Sequence, residues 1–149
     1  MSEHITKSHN KTLLLYHIVC PVKYRRDVID EEVEKSLKEI CVGIKERFEI
    51  NFLEIGADDN HVHFLIQSVP TQTVKRIVQI IKSITAREIF KRHKKVKEKL
   101  WGGHFWTSGY YANTVGQYAN EEVIKRYIEG QGGRYRKIYQ GQLELFEGI

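Results

Sequence analysis

An α+β fold built on a split βαβ core, with one antiparallel sheet carrying its helices on a single face, is the architecture this sequence predicts. Three observations lead there. Strand-like and helix-like segments follow one another in the order βαββαβ with a further helix behind them, and the second and third strands lie close enough to form a hairpin. No repeat, low-complexity linker or composition break occurs before about Gly130. With 149 residues, 41% of them hydrophobic, the chain is long enough for one core and too short for two large domains.

The elements follow in order. Residues 12–22 (TLLLYHIVCPV) are β-rich and end at Pro21, as a strand would. Asp30 caps a helix whose stripe is Val33, Leu37, Ile40, Cys41, Ile44 and Phe48. Residues 50–57 form a second strand, 58–60 a turn and 61–69 a third strand. Beyond Pro70, the positions Val74, Ile77, Val78, Ile81 and Ile84 mark a second helix that runs on into a basic segment. The Gly-bounded aromatic stretch 101–115 (WGGHFWTSGYYANTV) predicts a fourth strand, and Asn120 starts a third helix that Gly132 and Gly133 end. The tail from Arg134 shows no periodicity and is expected to be exposed.

Composition bounds the function classes. No run of 18 apolar residues is present, so no membrane span is expected. The polar start MSEHITKSHNK lacks an apolar signal region, which predicts a cytoplasmic protein. Cys20 and Cys41 sit among apolar neighbours and read as buried, reduced thiols, and the absence of a CxxC argues against a structural zinc site. Net charge is +5, and positive charge gathers at 23–26 (KYRR), at 87–99 and at 134–137 (RYRK). Two of these clusters, 23–26 and 134–137, include a tyrosine that can stack on bases while cations meet phosphates, a pairing suited to single-stranded nucleic acid. The cluster residues Lys23, Arg25, Arg26, Lys91, Arg92, Lys94 and Lys95 are the candidate DNA contacts, chosen on charge alone.

The third strand contains NHVHFLIQSVP, residues 60–70. Side chains alternate across a strand, so Val62, Phe64 and Ile66 face the helices while His61, His63, Leu65 and Gln67 face away. Two imidazoles about 7 Å apart on one face can share a divalent cation, although a bare HxH is more often an ordinary pair on an open face. Tyr127 and Gln131, four residues apart on the last helix, share one face and are the candidate partners. Taken singly, that Tyr reads as a core-boundary residue and that Gln as a solvated one.

Jointly, YHIVCPVKYRR, GADDNHVHFLIQ, VKRIVQIIKSITAREI, LWGGHFWTSGYYANTVG and IKRYIEGQG, in that order, resemble the single-tyrosine HUH transposases of small bacterial insertion sequences (the IS two-hundred/six-hundred-and-five group). The resemblance spans residues 11–132, with His61, Val62 and His63 as the HUH letters. It implies a single catalytic domain over 1–133 with a tail at 134–149, and a C-terminal helix carrying the nucleophilic Tyr. It implies cleavage and rejoining of single-stranded DNA at insertion-sequence ends, with Tyr127 as the nucleophile of a 5′-phosphotyrosine intermediate and no ATP. His61, His63 and Gln131 would hold Mg²⁺ or Mn²⁺. The partners implied are single-stranded DNA with subterminal hairpins and a second copy of the chain, active sites being shared between the subunits of the homodimer, in a prokaryotic, nucleoid-associated setting. Asn60 stands where the family often has Asp; it can orient a histidine but brings no charge.

In the tail, QLELF at 142–146 resembles the short peptide that docks in the DNA-polymerase sliding clamp, with Gln142 hydrogen-bonding and Leu143, Leu145 and Phe146 on the apolar side. Two rivals remain at this stage. A non-catalytic single-stranded nucleic-acid-binding module would use the charge and the aromatics but leave His61, His63, Tyr127 and Gln131 unrelated. A metal-dependent nuclease would use the same histidines with water as nucleophile.

Overall fold

The computed structural model describes residues 4–116 and the backbone of 136–139. A short hairpin of β1 (Ile5–Thr6) and β2 (Lys11–Thr12) precedes the main body. That body runs β3 (Leu14–Pro21), α1 (Glu31–Phe48), β4 (Asn51–Asp58), β5 (His61–Ser68), α2 (Val74–Arg92), α3 (Lys94–Lys99), β6 (Tyr111–Thr114) and β7 (Arg136–Tyr139). The sheet order is β6-β3-β5-β4-β7 with every neighbour antiparallel. Thus β3 and β4 run parallel with β5 between them, which is the split βαβ arrangement that the element order predicts.

The helices form where the pattern places them. Asp30 caps α1 by accepting the Val33 N–H at 2.9 Å, and Glu31, Glu32 and Glu34 set negative charge against the positive end of the helix dipole. Thr73 caps α2 in the same way, accepting from the Arg76 N–H at 3.1 Å. The stripes Val33, Leu37, Ile40, Cys41, Ile44 and Ile77, Val78, Ile81 then close over Ile18, Cys20, Val62, Phe64 and Ile66 as one buried core. Both cysteines are free and buried within it.

Three elements differ from the sequence expectation. The strand expected across 101–115 is reduced to β6. Trp106 instead makes one bridge to Val22 and donates its indole N–H to Thr85 at 2.9 Å, which ties the segment to α2 before pairing with β3 begins. The second helix runs into the basic segment as expected but stops within it at Arg92, because His93 (φ −130, ψ 88) breaks it and bonds Ser36 at 2.7 Å, so α3 is separate. Lastly, Arg136–Tyr139, in the tail for which the sequence shows no periodicity, pair with β4 as the edge strand β7. The helix expected from Asn120 lies outside the described residues. Among the described residues no helix is long and apolar enough to cross a membrane.

Candidate active site on the open sheet face

The middle strand, β5, is paired along its length to β3 on one side and β4 on the other. Its alternation is as expected: Val62, Phe64 and Ile66 enter the core, and His61, His63, Leu65 and Gln67 project to the opposite face. Residues directly across an antiparallel pair share a face. His61 therefore lies beside Asp58, which it opposes on β4, and β3 brings His17 to the same face, one pleat away from His63.

The rings of His61 and His63 approach to 5.0 Å between centroids. Nδ1 of His61 lies 2.8 Å from Asn60 Oδ1, an acceptor only, so the N–H sits on Nδ1 and the lone pair on Nε2. That Nε2 is 3.4 Å from Asp58 Oδ2. Asn60 thus performs the orienting role without a charge. His63 stacks against His17 with centroids 5.3 Å apart and planes within 5°, and Nε2 of His17 meets Nδ1 of His63 at 3.0 Å.

Electrostatics hold these rings neutral. Burial lowers the His63 pKa to about 3, with the neighbouring His17 and His61 adding to the effect. Burial likewise lowers His17 to about 4, against the opposing pull of a hydrogen bond with Asn113. For His61, burial again lowers the value, Asp58 offsets part of the shift and Arg25 reinforces it. At neutral pH the Asp58–His61 contact is therefore a carboxylate beside a neutral ring, not an ion pair. Neutral imidazole lone pairs next to a carboxylate suit a divalent cation, so His61 and His63 fit one. Among the described residues no group of three His, Cys, Asp or Glu side chains is arranged to hold a metal ion.

Of the basic clusters among the described residues, the one at 23–26 adjoins the site, where the charge of Arg25 is felt by His61. Lys23 and Arg25 belong to a 3₁₀ turn in which Tyr24 (φ 58) and Arg25 (φ 53) adopt left-handed backbone, with Arg26 directly after. Val22 N–H bonds Asn60 O and Lys23 N–H bonds Phe105 O, both at 2.8 Å, which pins the turn to the start of β5. Lys91, Arg92, Lys94 and Lys95 sit at the end of α2 and in α3, within the helical layer on the other side of the sheet. Arg92 is engaged there by Glu39 at 3.1 Å and Glu88 at 3.8 Å.

Two features escaped the sequence reading. His17 carries no local signal, and only the β3–β5 register reveals it. A groove of about 660 Å³ is lined by Lys23, Arg76 and Lys82 together with His104 and Trp106, its lysine and arginine cations too scattered along the chain to form a visible run. Tyr24, Trp101, Tyr110 and Tyr111 are exposed, and Lys82 Nζ lies 5.6 Å from the centroid of the Tyr110 ring. Tyr127, Gln131 and the tail residues Gln142, Leu143, Leu145 and Phe146 lie outside the described residues.

Known proteins can now be set beside this geometry. Residues 10–131 match the family profile described as "Transposase IS200 like". The ISDra2 transposase TnpA of Deinococcus radiodurans is 35% identical over 118 residues, covering 79% of this chain and 84% of that protein. The transposase for insertion sequence element IS200 of Salmonella typhimurium is 28% identical over 131 residues, 88% and 85% of the two chains. Among solved structures, a candidate transposase from Deinococcus radiodurans R1 superposes with TM-score 0.70 at 27% identity, covering 87% of this chain and 99% of that one. A REP-associated tyrosine transposase bound to a REP hairpin shares the fold at TM-score 0.53 and 9% identity, over 82% of this chain and 68% of that one. With the family profile reaching from the first long strand to Gln131, and a relative more than a third identical across most of both chains, this protein belongs to the IS200-like transposase family.

Proposed function

We propose that this transposase cuts and rejoins single-stranded DNA at insertion-sequence ends through a 5′-phosphotyrosine on Tyr127, with Mg²⁺ or Mn²⁺ held by His61, His63 and Gln131. One observation carries the reading: two neutral, lone-pair-bearing imidazoles lie side by side on the sheet face away from the helices. Bound there, the cation would neutralise charge developing on the scissile phosphate. The phenol oxygen of Tyr127 attacks phosphorus, the P–O3′ bond breaks, the phenol proton passes to solvent and the departing oxygen takes up a proton as a free 3′-OH. A phenol has a reference pKa of about 10, so it is a weak nucleophile until oriented or deprotonated. The phosphotyrosine retains the energy of the phosphodiester, so a second 3′-OH reseals the strand by the reverse step without ATP. The groove cations and the exposed Tyr24, Trp101, Tyr110 and Tyr111 supply charge and stacking surface for an unpaired strand. The REP transposase, solved with a hairpin, supports a folded DNA end as the ligand.

Covalent trapping tests this. Labelled single-stranded DNA from the ends flanking the gene, incubated with protein and Mn²⁺, should give a labelled protein band on a denaturing gel that is lost in Tyr127→Phe and without metal. Cutting without a band would transfer the assignment to a water-using nuclease, and binding without cutting to a non-catalytic module. The reading includes a homodimer in which each subunit's Tyr127 serves the histidine pair of the other. Mixing Tyr127→Phe protein with His61→Ala protein should then restore cleavage that neither has alone; a mixture as inactive as its components would rule out sharing.

A further inference from the structure

Strand pairing sets one row of side chains across the face that carries the histidine pair. Tyr111 on β6 stands opposite Val19 on β3, and Val19 stands opposite His63 on β5. Residues directly opposite share a face, so Tyr111 belongs to the same open surface as His63. A ring contact agrees with this placement. Tyr111 meets His17, two residues before Val19 on β3, edge to face with centroids 6.3 Å apart. Its own ring is still 52% exposed.

The other exposed aromatics are placed differently. Tyr24 and Tyr110 each carry a lysine ammonium over the ring, at 5.3 Å and 5.6 Å. Trp101 lies in the turn after α3, outside the sheet. Tyr111 also borders a hollow of about 580 Å³ beside β6, which it lines with Tyr16, Tyr110 and Asn113 among others. Aromatic walls with an amide and hydroxyls beside them suit a flat heterocycle with polar edges better than an aliphatic chain. Adjacent strands lie about 4.8 Å apart, so the row spans about 10 Å from Tyr111 to His63. A DNA strand advances about 3.4 Å per nucleotide when stacked and more when extended, so it crosses that gap in about three nucleotides at most.

We propose that Tyr111 is a base-stacking residue of the transposase: an unpaired base within about three nucleotides of the phosphate at the histidine pair lies flat on its ring, at the mouth of the hollow beside β6. The proposal rests on the metal site proposed at His61 and His63. Every base has a π-face, so the ring fixes where the strand lies over the histidines without choosing the base it holds.

Photo-cross-linking to metal-free protein reads this contact before any strand is cut. Single-stranded DNA from the ends flanking the gene carries 5-iodouracil at one position at a time. Near-ultraviolet light joins that base to an aromatic side chain stacked on it, and peptide mapping names the residue. A position within about three nucleotides of the bond that the protein cuts in Mn²⁺ should label Tyr111. Tyr111→Leu should bind the same strand about 5- to 150-fold more weakly at an unchanged melting temperature, and Tyr111→Phe, which keeps the ring face, should recover the affinity. A role confined to packing would lower the melting temperature and leave the affinity alone. Labelling only at other residues would overturn the proposal even if the Leu variant fails to fold. So would an unchanged affinity in a folded variant, or a Tyr111 label only from bases far from the cut. A protein that is labelled at Tyr111 yet cuts no strand would sink the metal reading and leave the stacking site standing, because the label forms without metal.

Discussion

At the scale of single residues, the buried imidazoles dictate how the protein responds to acid. Both His17 and His63 have folded-state values below the ordinary value of about 6.5, at about 4 and about 3. Between those values and 6.5 the unfolded chain binds more protons than the folded one, so folding stability falls as pH drops through that window and is fully present above it. Each such ring removes up to about 1.4 kcal/mol per pH unit. Metal-free protein should therefore show a clearly lower urea midpoint at pH 4.5 than at pH 7, and a midpoint as high or higher at pH 4.5 would contradict the burial argument. The sequence makes His61 and His63 legible because period-2 alternation is a local rule. His17 is not legible in the same way: it becomes a neighbour of His63 only once β3 and β5 pair, and the pairing register is a property of the sheet.

At the scale of elements, caps and stripes carried the most information. Asp30, the acidic first turn and the stripe from Val33 to Ile44 all agree on α1, and the observed cap bond explains why the helix starts there. Asp30→Ala should cost about 1 kcal/mol, read as a lower urea midpoint, while Asp30→Ser should recover most of it. Where the sequence misleads, a tertiary contact has overruled a local pattern. The aromatic run 101–115 has strand composition, yet the Trp106–Thr85 hydrogen bond draws its middle onto α2, so that beyond the single Trp106–Val22 bridge the continuous strand is Tyr111–Thr114. His93 ends α2 because its ring reaches Ser36 on α1, a partner no helix propensity foretells. At Arg136–Tyr139, four residues are too few to display a period, so β7 emerges only from its pairing with β4.

At the scale of the whole molecule, the split βαβ topology was readable because the order of elements leaves few ways to cover one sheet face with α1 and α2. The same topology decides which part of the sheet opens last. Outer strands such as β6 and β7 are four residues each, whereas β5 is laced to eight-residue strands on both sides and backed by the core. Native-state hydrogen exchange should find the backbone amides of His61–Ser68 among the slowest, with those of Tyr111–Thr114 released well before global unfolding. Comparable rates in the two segments would show that the sheet opens as one unit. The histidine pair then rides on the last piece of the protein to come apart: fraying at the sheet margins leaves the spacing of the two rings untouched.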